Sequence, residues 1–392
     1  MKICMITHSY YETDNRVMRY AETLAAGGNQ VDVICLRLSD EDADTSINGV
    51  NVFKIQNRSK NRHGRGAHLF PVLKFLLRSS WLLTQRHQKL HYDLIHVHSV
   101  PDFMVFAAWY PKLTGTKVIL DIHDILPELY ASKFGVNKSS IIYKLLLIIE
   151  KVSAQLADHV IIANDIWRER LIARSVPARK CTAILNFPDR EVFHKRGIPH
   201  NDGKFVMLYP GTLNHHQGLD IALRAFSRIC KDMPQLEFHI YGRGPDRETL
   251  ANLADELQLG QQFVLHDILP LREIAGVMET ADLGIVPKRG DSFGDEAFST
   301  KTLEFMSLGV PLIVAATTID KYYFTDSLVR FFRCGDEDAL SEAMLDLVSK
   351  PELRLKLAQN GLEFAEHNDW SHNKGRYLDL VDSLMTGRNE SN

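Results

Sequence analysis

Disulfides have little to work with in this chain of 392 residues. Its five cysteines, Cys4, Cys35, Cys181, Cys230 and Cys334, show no paired spacing and sit mostly in apolar, strand-like contexts. They read as buried thiols of a reducing compartment, with neither a bridge nor a metal between them. Long apolar runs are missing too. The stretches 69–83 and 141–149 are interrupted by Lys74, Arg78 and Lys144 and are too short to span a bilayer. The N-terminal MKICMIT runs straight into a strand pattern, which is not that of a secretory signal. The expected location is cytoplasmic, at most peripheral on the inner face of the cell membrane. No repeat period or low-complexity tract is visible, and no His/Cys cluster or Asp-x-Asp pair has a metal-site context. Asp40, Asp42 and Asp44 alternate in what reads as a loop, as solvated charge.

Acidic residues are absent between Asp44 and Asp93, where Lys54, Arg58, Lys60, Arg62, Arg65, Lys74, Arg78, Arg86 and Lys89 accumulate. Residues 1–198 hold 27 Lys and Arg against 19 Asp and Glu, a balance of +8; the remainder holds 19 against 30, a balance of -11. Within the basic region the pattern predicts a helix over 70–89, with Leu, Phe and Trp interleaved with cations. That helix reads either as a core helix with a basic outer face or as a surface for anionic lipid. Nucleic acid is disfavoured by a pI near 6.6 and by the lack of an aromatic-basic reading motif.

What is present is an alternation of strand and helix, consistent with doubly wound parallel sheets. Strands are predicted over 2–7, 30–36, 51–55, 93–98, 117–121, 158–163 and 182–185. The segment 194–204, HKRGIPHNDGK, interrupts the pattern, which restarts at KFVMLYPGTLNHHQGLD. Residues 1–198 and 199–371 are therefore expected to be two Rossmann-like domains.

The stretch 281–318 organises the rest. ADLGIVP and PLIVA are continuous apolar runs, as in strands covered on both faces. The loop between them ends in Ala297, Phe298, Ser299 and Thr300, whose backbone N–H groups would open a helix and point toward a phosphate. Glu296 and Glu304 flank that turn. Carboxylates do not bind phosphate, so their presence suggests a ligand with hydroxyls on either side of a diphosphate, such as a nucleotide sugar.

EAFSTKTLEFMSLGVPLIV resembles the mark of glycosyltransferase family 4, retaining enzymes of the GT-B fold, in the order Glu, seven residues, Glu, helix end and Gly-x-Pro. The resemblance covers nearly the whole chain, most specifically residues 205–372 and least 40–92. It implies an α/β fold of two doubly wound domains facing a cleft, with a final helix near 375–387 crossing back to the first domain and Trp370 just before the crossing. It implies that Glu304 holds the ribose and Glu296 the donor sugar. Asp121, His123 and Asp124 in LDIHD look like the family's Asp-x-His-Asp segment, with His123 near the anomeric carbon. His98 and, less so, His96 lie at another strand end.

YPGTLNHHQGLD resembles the first loop of the family's second domain, in which an Arg and a Lys bind the diphosphate. Thr212 and Gln217 stand at those places here, while Gly211 and Gly218 keep the backbone geometry. His215, His216, Arg243 and Lys301 are candidates for the missing charge; Lys288 and Arg289 could equally be surface charge. YGRGP reads as a turn near the nucleotide, and His266 and Ile268 as lying beside the base. Asn186 reads as a turn former. On the acceptor side, Thr13, Asp14, Asn15 and Arg16 occupy a loop where relatives place paired glycines. The implied reaction is metal-independent, with no cofactor besides the nucleotide-sugar substrate and with a glycan or lipid-linked acceptor. A similar nucleotide-sugar epimerase, a hydrolase, or a lapsed enzyme retained as a nucleotide-sugar binder are the alternatives.

Overall fold

The structure is a computed structural model and describes residues 1–37, 44–57, 65–197, 203–291 and 293–387. It divides into two units, Met1–Asn186 with Lys374–Asn392, and Phe187–Asn373. The sequence reading set the first boundary near 198. The segment after Asn186 instead bonds within the second unit: Trp370 N donates to the Pro188 carbonyl at 3.1 Å, and Gly197 N donates to Glu279 at 2.8 Å. The last helix, Trp370–Thr386, begins five residues earlier than the expected 375, so Trp370 opens it.

In the first unit the strands are β1 (Lys2–Thr7), β2 (Gln30–Arg37), β3 (Asp44–Ile47), β4 (Val50–Asn57), β5 (Leu94–Ser99), β6 (Lys117–Ile122), β7 (His159–Ile162) and β8 (Cys181–Ala183). They form one sheet in the order β3-β4-β2-β1-β5-β6-β7-β8. The edge pair β3 and β4 is antiparallel and the other pairs are parallel. Asp44, expected in a loop, opens β3; Asp40 and Asp42 lie outside the described residues. Central strands are buried along their length, Ile3 to Ile6 completely, because helices cover both faces of a parallel sheet.

The second unit holds β9 (Phe205–Pro210), β10 (Leu236–Tyr241), β11 (Phe263–His266), β12 (Leu283–Val286), β13 (Leu312–Ala315) and β14 (Arg330–Phe332). Their order is β11-β10-β9-β12-β13-β14, with every given pairing parallel. Short β14 carries too few residues for a periodic signal, and the sequence reading missed it. In both units the winding runs outward from the first strand in one direction and then restarts on its other side. The reversal falls between β1 and β5 in one sheet and between β9 and β12 in the other, which leaves room for a ligand beyond the carboxyl ends.

Close backbone packing continues past the ends of β9, β10 and β11. Gly211 N donates to the Tyr241 carbonyl at 2.8 Å and Leu213 N to the Arg243 carbonyl at 3.0 Å. A Cβ placed on Gly242 would lie 1.8 Å from the Gly211 carbonyl oxygen, so the glycines of YGRGP are required by contact with the neighbouring loop.

The basic stretch is less uniform than its composition implies. Lys54 is buried and pairs with Glu12 at 2.6 Å, and Arg86 pairs with Asp32 at 2.6 Å while lying over the Phe53 ring. Lys74, Arg78 and Lys89 are exposed; Arg58, Lys60 and Arg62 lie outside the described residues. The helix here runs over Arg65–Leu90.

Gly242→Ala should lower stability by roughly 3 kcal/mol or more, because backbone must move to admit the methyl group. Gly375→Ala, on an exposed helical position with nothing within 4 Å, should raise it by about 0.5–1 kcal/mol. Chemical denaturation of the two variants checks the contrast.

Candidate functional site

In the second unit the candidate site is built where β9 and β12 diverge. After β12 the chain turns through a loop held from inside. Lys288, read from sequence as a surface or phosphate-binding cation, is buried: its Nζ donates to the Ala297 carbonyl at 2.7 Å and pairs with buried Asp320 at 2.6 Å. Arg289 is likewise committed, pairing with Asp220 at 2.5 Å and donating from Nε to the His215 carbonyl at 3.1 Å. Asp295 fastens the same loop to the start of a later helix, Thr318–Tyr323, by accepting from Thr318 N at 2.9 Å and Thr318 Oγ1 at 2.6 Å. These bonds fix the direction of the helix that follows.

That helix is Thr300–Ser307, with Ser299 at its cap. The Ser299 side chain makes no capping bond, and its buried hydroxyl has no partner among the described residues; the same holds for the fully buried Thr302 hydroxyl. A helix start without a side-chain cap leaves its first N–H groups open to an acceptor. Phe298 departs from expectation, since its ring packs against Tyr323 at 5.3 Å and Phe324 at 6.0 Å. Any part it takes in an anion site falls to its backbone.

Lys301 and Glu304 stand one turn apart on this helix. The Lys301 ammonium lies 5.2 Å from the centre of the Tyr209 ring, against the turn at Gly211. A Cβ on Gly211 would come within 2.3 Å of Lys301 Cε and 2.9 Å of Nζ, and the glycine's φ of +143° is one that larger residues avoid. Gly211 thus opens the seat that Lys301 fills. Burial lowers the Lys301 pKa to about 8; Glu304 opposes that fall and Lys288 adds to it.

Around this seat, Thr212 is exposed, and Gln217 turns a buried side-chain oxygen that has no partner among the described residues. His216 is held below the usual histidine value by burial, with Lys301 and Lys288 adding to the effect against Asp291. Its neutral ring packs edge-on to Phe293. Neutral His216 does not replace the missing cation, whereas Lys301 is a cation in place. Arg243 is exposed beyond the β10 end. Across β10 and β11 the rings of Tyr241 and His266 stack at 4.0 Å with 6° between their planes, and Ile268 is exposed nearby in sequence. Glu296 is half-buried on the loop, three residues before Ser299.

In the first unit, parallel register sets Thr7, His98 and Asp121 side by side at the ends of β1, β5 and β6. Asp121 is fully buried. It accepts from Arg16 Nε at 2.7 Å and Nη2 at 2.8 Å, and lies 3.1 Å from both His98 Nδ1 and His123 Nε2. Burial opposes ionisation of Asp121, but Arg16 and His123 hold it well below the usual carboxylate range. The same burial disfavours a charged His123, yet Asp121 and Asp14 more than offset it, so this ring keeps its proton above the ordinary histidine value. His98, more enclosed, is pushed down by burial. Of these three side chains only His123 reaches solvent, with 22% of it exposed, against none of His98 or Asp121.

Several acceptor-side expectations change here. Arg16 is inside the helix Asn15–Ala26, buried, and also donates to the Ile184 carbonyl at 2.8 Å; it is a counter-ion to Asp121. Asp14 caps that helix by accepting from Val17 N at 3.3 Å and takes a 2.7 Å bond from Ser9. Asn15 is the helix's first residue, half-buried. His98 braces Asp121 from within. Asp124 stays half-buried just before the helix Leu126–Phe134, its carboxyl raised by burial with His123 in opposition. His96, His98 and Asp121 are brought together closely enough to suggest a metal group, a set the sequence did not reveal. The Arg16 guanidinium already engages both Asp121 oxygens, so a cation there would meet another cation. The register of two adjacent strands, which a single sequence does not display, was the missing signal. Asn186 accepts from Arg19 as the last residue of its segment.

A family model described as "Glycosyl transferases group 1" matches residues 191–364, and one described as "Glycosyl transferase 4-like domain" matches 13–186. The D-inositol 3-phosphate glycosyltransferase 1 of Catenulispora acidiphila is 28% identical over 214 residues, 51% of this chain and 49% of that protein. The putative colanic acid biosynthesis glycosyltransferase WcaL of Salmonella typhimurium is 23% identical over 151 residues, 38% of this chain and 37% of that one. The matches thus span less than half of these two relatives. Among solved structures, sucrose-phosphate synthase from Thermosynechococcus elongatus superposes with a TM-score of 0.80 at 17% identity, covering 99% of this chain and 100% of that one. Anabaena HepE in complex with UDP and glucose gives 0.74 at 15%, covering 98% and 100%.

In NMR titration, His123 should protonate above the free histidine value and His98 below it. Asp121→Asn should move the His123 midpoint downward, and should also destabilise the fold by roughly 3–5 kcal/mol by leaving Arg16 buried without its partner. An unmoved His123 midpoint would contradict the pairing.

Proposed function

Because the chain belongs to the glycosyl transferases group 1 family and has the GT-B fold, we propose that it transfers a sugar, with retention, from a nucleoside diphosphate donor to a glycan or lipid-linked acceptor at a membrane surface. The observation that carries this reading is the start of the helix Thr300–Ser307: a cap without a side-chain bond, two buried hydroxyls with no partner among the described residues, and the one-turn pair of Lys301 and Glu304. Anions favour such a helix start. The donor's phosphates belong over the helix start, on the amides from Ser299 to Lys301, since Thr302 N already donates to the Ser299 carbonyl at 3.2 Å; the ribose belongs on Glu304 and the sugar on Glu296. Tyr241 and His266 offer a flat aromatic pair for the base, with exposed Ile268 two residues further along the chain.

Lys301 supplies the positive charge that Thr212 and Gln217 do not. As the bond to the sugar breaks, negative charge grows on the departing diphosphate, and a fixed ammonium with helix amides stabilises it without rearrangement. That role needs no metal. On the acceptor side His123 is the one ring of its buried network that reaches solvent, and Asp121 with His98 fixes its orientation. In the proposed chemistry the incoming hydroxyl attacks the face that the leaving group vacates, and the departing phosphate takes its proton. No side chain acts as nucleophile.

A panel of nucleotide sugars should contain one that raises the melting temperature, since a ligand bound only by the native state stabilises it. Glu304→Ala should abolish that shift while the protein remains folded. Incubation of the donor with lipid extract distinguishes the alternatives: released nucleotide without sugar transfer indicates a hydrolase or epimerase, and binding without release a lapsed enzyme.

Donor affinity should also depend on pH. Lys301 is charged below about 8 and loses its proton above, so binding should weaken as pH rises past 8, by at most about tenfold per unit. Lys301→Arg should remove that dependence, and Lys301→Met should weaken binding at every pH. Calorimetric titration from pH 6.5 to 9.5 measures it; parallel profiles for wild type and the Arg variant would exclude Lys301 from the phosphate site.

A further inference from the structure

Two helices of the first unit leave apolar stripes uncovered. In the helix Arg65–Leu90, Phe75, Ser79, Leu83 and His87 face inward, while Phe70, Leu77 and Trp81 are exposed by 63%, 71% and 64%. In the helix Ile141–Leu156, Tyr143, Glu150 and Ala154 are buried, while Ile141, Leu145 and Ile148 are exposed by 84%, 53% and 58%. Spacings of three, four and seven put each set along one side of its helix. Both helices pack against the same short 3-10 segment, Asp102–Ala108. The chain continues directly from that segment into half-exposed Trp109, whose indole N–H donates to Ser80 Oγ at 3.1 Å and so ties it to the first helix.

The charge around these stripes has one sign. The first helix contains no acid, and exposed Lys74 and Arg78 alternate with its apolar residues. The second contains a single acid, Glu150, which is buried and accepts from Arg174 Nε at 2.8 Å; its exposed charges are Lys144 and Lys151. A neutral apolar surface would serve a protein partner as well as a lipid. Apolar stripes interleaved only with cations fit an anionic bilayer surface, into which they sink while the cations reach phosphate. Against a second copy of this chain the same cations would face their own kind. Neither helix is long and apolar enough to cross a membrane, and helices lying in the interface do not need to be.

We infer that the exposed sides of Arg65–Leu90 and Ile141–Leu156, with Trp109, form one docking surface for anionic phospholipid. The inference deepens the lipid-linked acceptor of the preceding reading and rests on it only for that purpose. It also relocates the surface expected from sequence: Lys54 and Arg86 are withdrawn into ion pairs, and the second helix, outside the basic stretch, contributes as much as the first.

Flotation of the full chain with vesicles of phosphatidylcholine alone, and with about one-third phosphatidylglycerol, tests it without donor. Binding is expected to the anionic vesicles, with at least a tenfold loss on neutral ones. Leu77→Gln with Trp81→Gln, Leu145→Gln with Ile148→Gln, and Lys74→Glu with Arg78→Glu should each reduce anionic binding by tenfold or more. The nucleotide-sugar thermal shift should be unchanged in all three, which separates failure here from failure of the proposed reaction. Absence of vesicle binding overturns the inference, as does loss in the charge variant with none in the apolar ones. A lipid-free dimer that the apolar variants dissociate would assign the face to a second copy instead.

Discussion

Winding a parallel sheet outward from its first strand in both directions forces two neighbouring loops apart at the carboxyl edge. The chain makes that reversal twice, between β1 and β5 and between β9 and β12. Each time, the residues beyond the strand ends carry the candidate chemistry. The two edges are furnished differently. In one, an acid is sunk among an arginine and two imidazoles; in the other, a lysine is set beside an uncapped helix.

The buried Asp121 group illustrates how electrostatics can orient a side chain it does not itself expose. A carboxylate without water needs donors, and it receives four. Arg16 and His98 take the inner positions, which leaves His123 on the outside with a defined ring direction and a protonated form favoured by the acid it faces. The second edge works by subtraction. Removing a side chain at Gly211 and leaving Ser299 without a capping bond create an anion-ready surface from main chain and one ammonium.

Much of the architecture could be read from the residues, because apolar runs such as LGIV and LIVA are signatures of strands covered on both sides. The helix start at Ser299, with acids on either side, was legible for the same local reason. What escaped depended on contacts distant in sequence. Lys288 and Lys301 look alike in a one-dimensional reading; only the bond to Ala297 and the pairing with Asp320 show that the former is structural. Arg16 seemed to belong to a loop, yet Asp14 caps a helix there and turns the guanidinium inward. Within Arg65–Leu90, Phe75 and Leu83 are covered while Leu77 and Trp81 are bare, and hydrophobicity alone does not rank them.

The seat of Lys301 against Gly211 has a consequence for how such proteins can change. A charge carried by the loop itself and one arriving, as here, from the facing helix would compete for the same small volume, since a Cβ on Gly211 would already lie within 2.3 Å of Lys301 Cε. A drift from one to the other must pass through variants in which either the loop side chain or the ammonium is displaced. The two positions are therefore coupled, and their substitutions will not combine additively. Exchange of this loop alone between homologues, without its helix, would transplant half of a charge constellation.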